Sequence, residues 1–112
     1  MKAHGKHTPG VMNKLEARYA AQLEQMQRAG EIVSWRFERL TLKLADGCRY
    51  TPDFWVVLPD QSVECHEVKG FWQDDARVKL KCAAEMWHEF VFRAVTWNKT
   101  AGWQYETFAG RL

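Results

Sequence analysis

The sequence predicts a single α/β domain of the α+β type, with a central mixed four-stranded sheet flanked by helices. Three observations predict this fold class. Residues 11–29 are rich in Ala, Leu, Glu, Gln, Lys and Arg, which is typical of a long helix. Two runs of β-branched and aromatic residues within 50–69 flank a short Pro/Asp break. A second helical stretch then leads into a last β-rich run at 90–97.

Size and charge limit the classes of function. The chain has 112 residues, of which 46% are apolar and 27% charged, so it can bury a core as one domain. Its formal net charge of +2 does not by itself predict nucleic-acid binding, and any basic surface must be local. No apolar run approaches the roughly 18 residues of a membrane span, so we expect no membrane partner.

The cysteines and the N-terminus bear on the compartment. Cys48, Cys65 and Cys82 are odd in number and lack Cys-x-x-Cys spacing, which argues against a disulfide scaffold or a zinc knuckle. We expect small core residues in a reducing compartment, hence the cytoplasm. Residues 1–10 are too polar for a signal peptide. They predict a flexible tail, or alternatively a basic arm that contacts phosphates, and residues 11–112 predict a single domain.

The first helix is predicted over 11–29, since Gly30 marks its end. Glu16 lies just beyond the edge of its apolar stripe, on the side that should touch the sheet. A carboxylate there usually needs a partner, because desolvating it alone is costly. The alternative is a boundary glutamate that reaches water. The stripe itself consists of Met12, Leu15, Tyr19, Leu23 and Met26.

A strand is predicted within 31–47, where leucines alternate with polar residues up to the hairpin signal Asp46-Gly47. If Ala45 pairs with Cys48, then Leu42 lies opposite Thr51 and Leu40 opposite Asp53. Pro52 lacks a backbone donor, which indicates a bulge or an open edge just before Asp53.

The stretch 50–69 predicts an antiparallel hairpin that brings two carboxylates together. Pairing Leu58 with Ser62 places Val57 opposite Val63, Trp55 opposite Cys65 and Asp53 opposite Glu67. Directly opposed residues have Cβ atoms about 4.5 to 5.5 Å apart, so like charges there repel. A divalent cation would remove that repulsion, and Mg²⁺ prefers such oxygen ligands. Lys69 alternates onto the same face, where it could orient a water.

These residues form a short motif: Pro52-Asp53, thirteen intervening residues, then Glu67-Val68-Lys69. In this motif the chain resembles the PD-(D/E)XK nuclease superfamily, and most of all its small phage-encoded members. The resemblance covers roughly residues 12–97. It implies a restriction-endonuclease-like core in the order helix, three-stranded meander, helix, strand, and metal-dependent cleavage of phosphodiester bonds.

The resemblance also implies roles for individual residues. Asp53 and Glu67, with the Val68 carbonyl and Glu16, would hold Mg²⁺, for which Mn²⁺ can substitute. Lys69 would position the attacking water. The expected partner is DNA, and its form stays open among a junction, a flap or nick, a restriction-like duplex site and a single strand. Because so short a chain covers little duplex, cutting both strands would suggest a homodimer. A phage-encoded member would act in the cytoplasm of its bacterial host.

The second helix is predicted over 76–88, with Asp74-Asp75 as caps. Its apolar residues cover a broad arc: Val78, Leu80, Cys82, Ala83, Met86 and Trp87. Superfamily members often carry a further basic residue here, so Lys79 is the candidate phosphate contact, with Lys81 and Arg77 as substitutes. Phe71 and Trp72 could stack on a splayed base or be core residues.

The strand-helix-strand order ending at 90–97 predicts a parallel strand pair. Residues 98–112 predict either a short strand or hairpin, or an apolar lid. Two other function classes stay open: a non-catalytic nucleic-acid-binding or assembly module, and a metal-dependent enzyme for a small phosphorylated substrate. The second lacks a Gly-rich phosphate loop.

Overall fold

The computed structural model describes residues 8–109 and contains two helices and seven strands in that range. Strands β1, β4, β5, β6 and β7 form a five-stranded sheet in the order β1-β4-β5-β6-β7, and β2 and β3 form a separate hairpin. The elements are α1 (Lys14–Arg28), β1 (Ser34–Phe37), β2 (Leu42–Ala45), β3 (Cys48–Tyr50), β4 (Phe54–Val57), β5 (Val63–Val68), α2 (Asp74–Met86), β6 (Val91–Asn98) and β7 (Gly102–Ala109). The α+β class and the mixed sheet are confirmed, although the main sheet has five strands and not four.

The centre of the sheet follows the predicted pairings. In the β4–β5 hairpin Val57 lies opposite Val63 and Trp55 opposite Cys65. Helix α2 connects β5 to β6, and these two strands are parallel, as expected for a crossover connection. Strand β7 returns antiparallel to β6 and forms one edge of the sheet. Of the two structures left open for the C-terminal residues, a strand is the one observed.

The strand predicted within 31–47 is observed as β2, but the same stretch also contains β1, which the sequence did not predict. The chain forms β1 against β4, turns at Glu38 with φ of 50°, and only then enters β2. Leu42 lies opposite Tyr50 and not Thr51, because the β2–β3 register shifts between Lys43 and Ala45. With β2 and β3 in their own sheet, the predicted pairing of Leu40 with Asp53 does not occur.

Helix α1 packs its predicted stripe against one face of the sheet. Tyr19 and Leu23 are fully buried there, in a cluster that includes Phe54, Val56 and Val95. Met12, Leu15 and Met26 pack at its border. The helix begins three residues later than predicted, because Asn13 caps it: its side chain accepts the N–H of Glu16, and Glu16 returns a bond to the N–H of Asn13.

Helix α2 covers the other face with a narrower apolar stripe than the sequence predicts. Leu80, Ala83 and Ala84 are buried, whereas Val78 and Met86 are exposed. The predicted Asp caps are wrong, because Asp74 and Asp75 lie in the first turn, where their charge suits the helix dipole, and Gln73 occupies the cap. None of the described helices has the length and apolar character needed to cross a membrane.

The expectation of three core cysteines is wrong for two of them. Cys65 is fully buried in β5, but Cys48 on the β2–β3 hairpin and Cys82 on the outer side of α2 are exposed. All three are free thiols.

Candidate functional site

A cleft of about 1150 Å³ opens where α1 begins, where the β4–β5 pair ends and where α2 starts. The β2–β3 hairpin forms one of its walls. Five side chains singled out from the sequence line this cleft: Glu16, Asp53, Glu67, Lys69 and Lys79. The fold thus brings together side chains from α1, β5, α2 and the segments that flank the sheet.

The ladder between β4 and β5 is interrupted at the cleft by Pro52. Continuing the register past Phe54–His66 places Pro52 opposite Val68. Proline has no N–H, so it cannot donate to the Val68 carbonyl. The N–H of Val68 donates to Asp53 Oδ2 at 2.8 Å, which shows that the backbone of Val68 points toward this interruption. A carbonyl oxygen is therefore available beside the two carboxylates.

Asp53 is buried, with 7% of its surface exposed. Burial is the main reason that its pKa is raised, to about 8, and the neighbouring carboxylates of Glu67 and Glu16 raise it further. The hydrogen bond from Val68 and the ammonium of Lys69 act in the opposite direction. Such a carboxyl group favours binding either a proton or a cation.

Glu67 lies beside Asp53 at the end of β5. Its Oε1 accepts the hydroxyl of Tyr50 at 2.8 Å and the N–H of Asp53 at 3.3 Å. Its Oε2 lies 3.5 Å from Lys69 Nζ. Burial raises the pKa of Glu67 in spite of Lys69 and Tyr50, which lower it. Two acidic groups with raised pKa values therefore share one end of the cleft.

Glu16 is held by the capping box at the start of α1. It is buried, with 7% exposed, so it is not the solvent-exposed boundary residue that the sequence left open. One carboxylate oxygen is used by the N–H of Asn13 at 2.9 Å. Among residues 8–109 its second oxygen accepts no hydrogen bond from protein, and its charge acts on Asp53.

The donor set suits a hard cation that keeps water ligands. Across residues 8–109, no three His, Cys, Asp or Glu side chains are arranged to hold a metal by themselves. Two carboxylates and one backbone carbonyl are nevertheless the oxygen ligands that Mg²⁺ uses together with several waters. Asp53, Glu67 and the Val68 carbonyl fit this description, and Glu16 would act through a water.

Basic side chains lie around the acidic end of the cleft. The side chain of Lys69 is 46% exposed, so its ammonium reaches solvent as well as Glu67. Lys79 Nζ lies 5.5 Å from the centroid of the Tyr50 ring, inside the cleft. Arg77 is engaged elsewhere, in an ion pair of 2.6 Å with Glu106. Of the basic residues predicted on α2, Lys79 is the one that lines the cleft.

Sequence reasoning missed several residues of the cleft. The hydroxyl of Tyr50 donates to Glu67, but no sequence motif marks this tyrosine. Arg49 lies beside it on the hairpin. Glu38 also lines the cleft, and its N–H donates to the carbonyl of Asp53 at 2.8 Å. The capping pattern Asn13-x-x-Glu16 was visible in the sequence and was the signal that would have fixed Glu16 in place.

The predicted N-terminal tail is only partly described. Residues 1–7 lie outside the described part of the chain. Thr8 and Pro9 line the cleft, and the N–H of Gly10 donates to Glu38 Oε1 at 2.8 Å. Residues 8–10 therefore border the candidate site.

A second polar cluster lies on the opposite face of β5, beneath α1. His66 is 1% exposed; its Nδ1 lies 2.6 Å from the Tyr19 hydroxyl and its Nε2 2.8 Å from Glu64 Oε1. The Tyr105 hydroxyl lies 3.1 Å from that of Tyr19, and Arg93 stacks on the Tyr105 ring at 4.0 Å. Burial lowers the pKa of His66, so the neutral ring is favoured.

The resemblance to the PD-(D/E)XK superfamily stays a prediction from the motif between Pro52 and Lys69 and from the order of the elements. No protein-family model, curated protein or solved structure matches the chain.

Proposed function

We propose that this chain is a divalent-metal-dependent endonuclease of the PD-(D/E)XK type that hydrolyses phosphodiester bonds in DNA. One observation carries the proposal: Asp53 and Glu67 lie together in one cleft with raised pKa values, and the ammonium of Lys69 lies beside them. A carboxylate pair that is costly to ionise is a natural ligand for a cation.

The residues have distinct roles in this proposal. Asp53, Glu67 and the Val68 carbonyl would hold Mg²⁺, or Mn²⁺ in its place, and Glu16 would hold one of its waters. A bound Mg²⁺ lowers the pKa of its water and stabilises charge on the reacting phosphate. Lys69 positions the attacking water, because its Nζ is held 3.5 Å from Glu67 and also faces solvent.

The basic side chains of the cleft support DNA as the proposed substrate. Five acidic side chains line the cleft, and Lys69, Lys79 and Arg49 lie around them, so a phosphate backbone would run past these basic residues once a bound cation offsets the acids. Lys79 contacts a phosphate next to the scissile one. Phe71 is 72% exposed two residues after Lys69 and can stack on an unpaired base. This favours a junction, flap or nick over a continuous duplex.

The test is a cleavage panel of linear, nicked, flapped and four-way DNA, each with Mg²⁺, Mn²⁺ or EDTA. Glu67→Gln and Lys69→Met should each lower the cleavage rate at least about 100-fold, because each removes a group needed at the reacting phosphate. Glu89→Gln, an exposed glutamate outside the cleft, is the matched control and should cut like wild type. Unchanged cleavage by both cleft variants would reject the site.

Lys79→Ala and Lys81→Ala form a second matched pair, because both lysines are exposed on α2 and only Lys79 lines the cleft. Because Lys79→Ala removes one phosphate contact, it should lower the slope of log DNA affinity against log salt concentration by about one. Lys81→Ala should leave that slope unchanged. Equal effects of the two substitutions would remove Lys79 from the site.

The alternative function is a non-catalytic nucleic-acid-binding or assembly module on the same fold. It is favoured by one observation: the described residues offer no set of three side chains that would hold a metal directly. Binding of the same DNA panel without cutting, under every metal condition, would select this alternative.

A further inference from the structure

We propose that β7 is the interface through which two copies of this chain form a dimer, by joining their main sheets edge to edge. This inference is independent of the proposed nuclease activity. Strand β7 is eight residues long and lies at the edge of the sheet. It contains no proline or lysine and a single charged residue, Glu106. Proline, lysine and other charged residues are what proteins usually place on an edge strand to prevent pairing.

The outward backbone groups of β7 can be identified from the hydrogen bonds of its neighbours. The N–H of Lys69 donates to the Val95 carbonyl, so the backbone groups of Val95 point toward β5. Val95 lies opposite Tyr105 across β6 and β7. Val95 and Tyr105 therefore form a non-hydrogen-bonded pair, in which both residues point their backbone groups away from each other. The N–H and C=O of Tyr105 therefore point out of the sheet edge.

Because this direction alternates along a strand, the N–H and C=O groups of Trp103 and Thr107 also point out of the sheet edge. Within residues 8–109, β7 pairs with β6 alone, and no loop or side chain donates to or accepts from these outward groups. Every second residue from Trp103 to Thr107 thus offers a donor and an acceptor to another strand.

The opposite edge of the sheet is less suited to this role. Strand β1 has four residues, and Arg36 in it is exposed. A very short edge strand is one of the usual protections against pairing, because it offers few backbone groups to another strand. The long edge, with one charge in eight residues, is therefore the better suited to pairing.

A second copy of β7 fits this edge in a defined register. When two copies of β7 pair antiparallel, a residue with outward backbone groups must lie opposite another such residue. Two registers that satisfy this rule give the longest overlap, one centred on Tyr105 and the other on Glu106. The second places two Glu106 carboxylates directly opposite and is disfavoured. The first places Glu106 opposite Gln104, and Trp103 opposite Thr107, an aromatic and β-branched pair. Charge therefore selects the register centred on Tyr105.

The first test is the mass in solution, by light scattering after gel filtration and by sedimentation equilibrium. The wild type should show about twice the 13.1 kDa of one chain. Thr107→Pro removes an outward N–H and leaves the hydrogen bonds to β6 in place, because proline is tolerated where the N–H faces outward. It should raise the dimer dissociation constant at least about tenfold, whereas Thr107→Ala, which keeps the N–H, should not.

The second test uses amide hydrogen exchange in the wild type and so does not depend on the variant folding. In the dimer, the outward amides of Trp103, Tyr105 and Thr107 should exchange as slowly as the inward amides of Gln104 and Glu106. On dilution to the monomer, the outward amides should lose this protection. A single-chain mass at the highest attainable concentration, a folded Thr107→Pro dimer of wild-type affinity, or rapid exchange of the outward amides in a dimer would each overturn the proposal.

Discussion

The carboxylate of Asp53 occupies the place that the Pro52 carbonyl would take in a regular ladder, since its Oδ2 accepts the N–H of Val68 at 2.8 Å. One side chain thus replaces a backbone acceptor and also points its charge into the cleft. The cost is a buried carboxyl group whose pKa is raised to about 8.

Asp53→Asn should abolish cleavage and stabilise the protein. The amide oxygen can still accept the N–H of Val68, while the buried negative charge next to Glu67 is gone. We expect the free energy of unfolding at pH 8, without divalent cations, to rise by about 1 kcal/mol or more, since each unit of pKa shift corresponds to about 1.4 kcal/mol. Urea denaturation measures it. A large loss of stability would show that the charge itself is needed for folding.

Mg²⁺ affinity and stability should depend on pH in opposite directions. The raised pKa means that folded Asp53 holds a proton that the unfolded chain releases near its ordinary value of 3.8. Without metal, stability should therefore fall as the pH rises from about 4 to about 8. Because Mg²⁺ displaces that proton, its apparent affinity should rise up to about tenfold per pH unit below 8. Titration calorimetry at pH 6, 7 and 8 measures this, and a flat profile would contradict it.

Tyr50→Phe should shift the pH profile of cleavage to higher pH. The hydroxyl donates to Glu67 Oε1 and lowers the pKa of that carboxyl group, so its removal should raise the pKa further. The lost hydrogen bond should also cost about 1 kcal/mol of stability. Tyr105→Phe removes a hydroxyl on the other face of the sheet and is the matched control. It should alter stability without moving the pH profile, and identical profiles for all three proteins would contradict the contact.

His66→Leu should destabilise the protein without entering the chemistry. It leaves the Tyr19 hydroxyl and the Glu64 carboxylate without their buried partner, which should cost about 2 to 4 kcal/mol in urea denaturation. In the wild type, burial lowers the pKa of His66, so its contribution is present above pH 6.5 and is lost as the pH falls below it. A variant with wild-type stability at pH 7 would rule out this network as a support for β5.

The β4–β5 hairpin could be predicted because its signals are local. The break at Pro59–Gln61 fixes the turn, and alternation from Leu58 and Ser62 fixes which residues face one another, as Trp55 and Cys65 confirm. The same register brought Asp53 and Glu67 to one end of the cleft.

The path between α1 and β3 could not be predicted, because tertiary contacts decide it. Glu38 adopts a left-handed φ of 50° without glycine or proline to signal a turn, and its N–H is bound by the Asp53 carbonyl. Strand β7 was similarly undecided, since only its pairing along β6 distinguishes a strand from a lid. Exposure on α2 was misjudged because β7 and the hairpin leave the outer side of that helix uncovered.

The β2–β3 hairpin shares no ladder with the main sheet in the described chain, and it is fastened by side chains: the Tyr50 hydroxyl to Glu67, and Trp87 Nε1 to the Lys43 carbonyl at 3.0 Å. The hairpin also contributes Leu42, Leu44 and Tyr50 to the core that α2 covers. This wall of the cleft is consequently anchored by apolar packing under α2, with the Tyr50 hydroxyl as its polar link to the acidic pair.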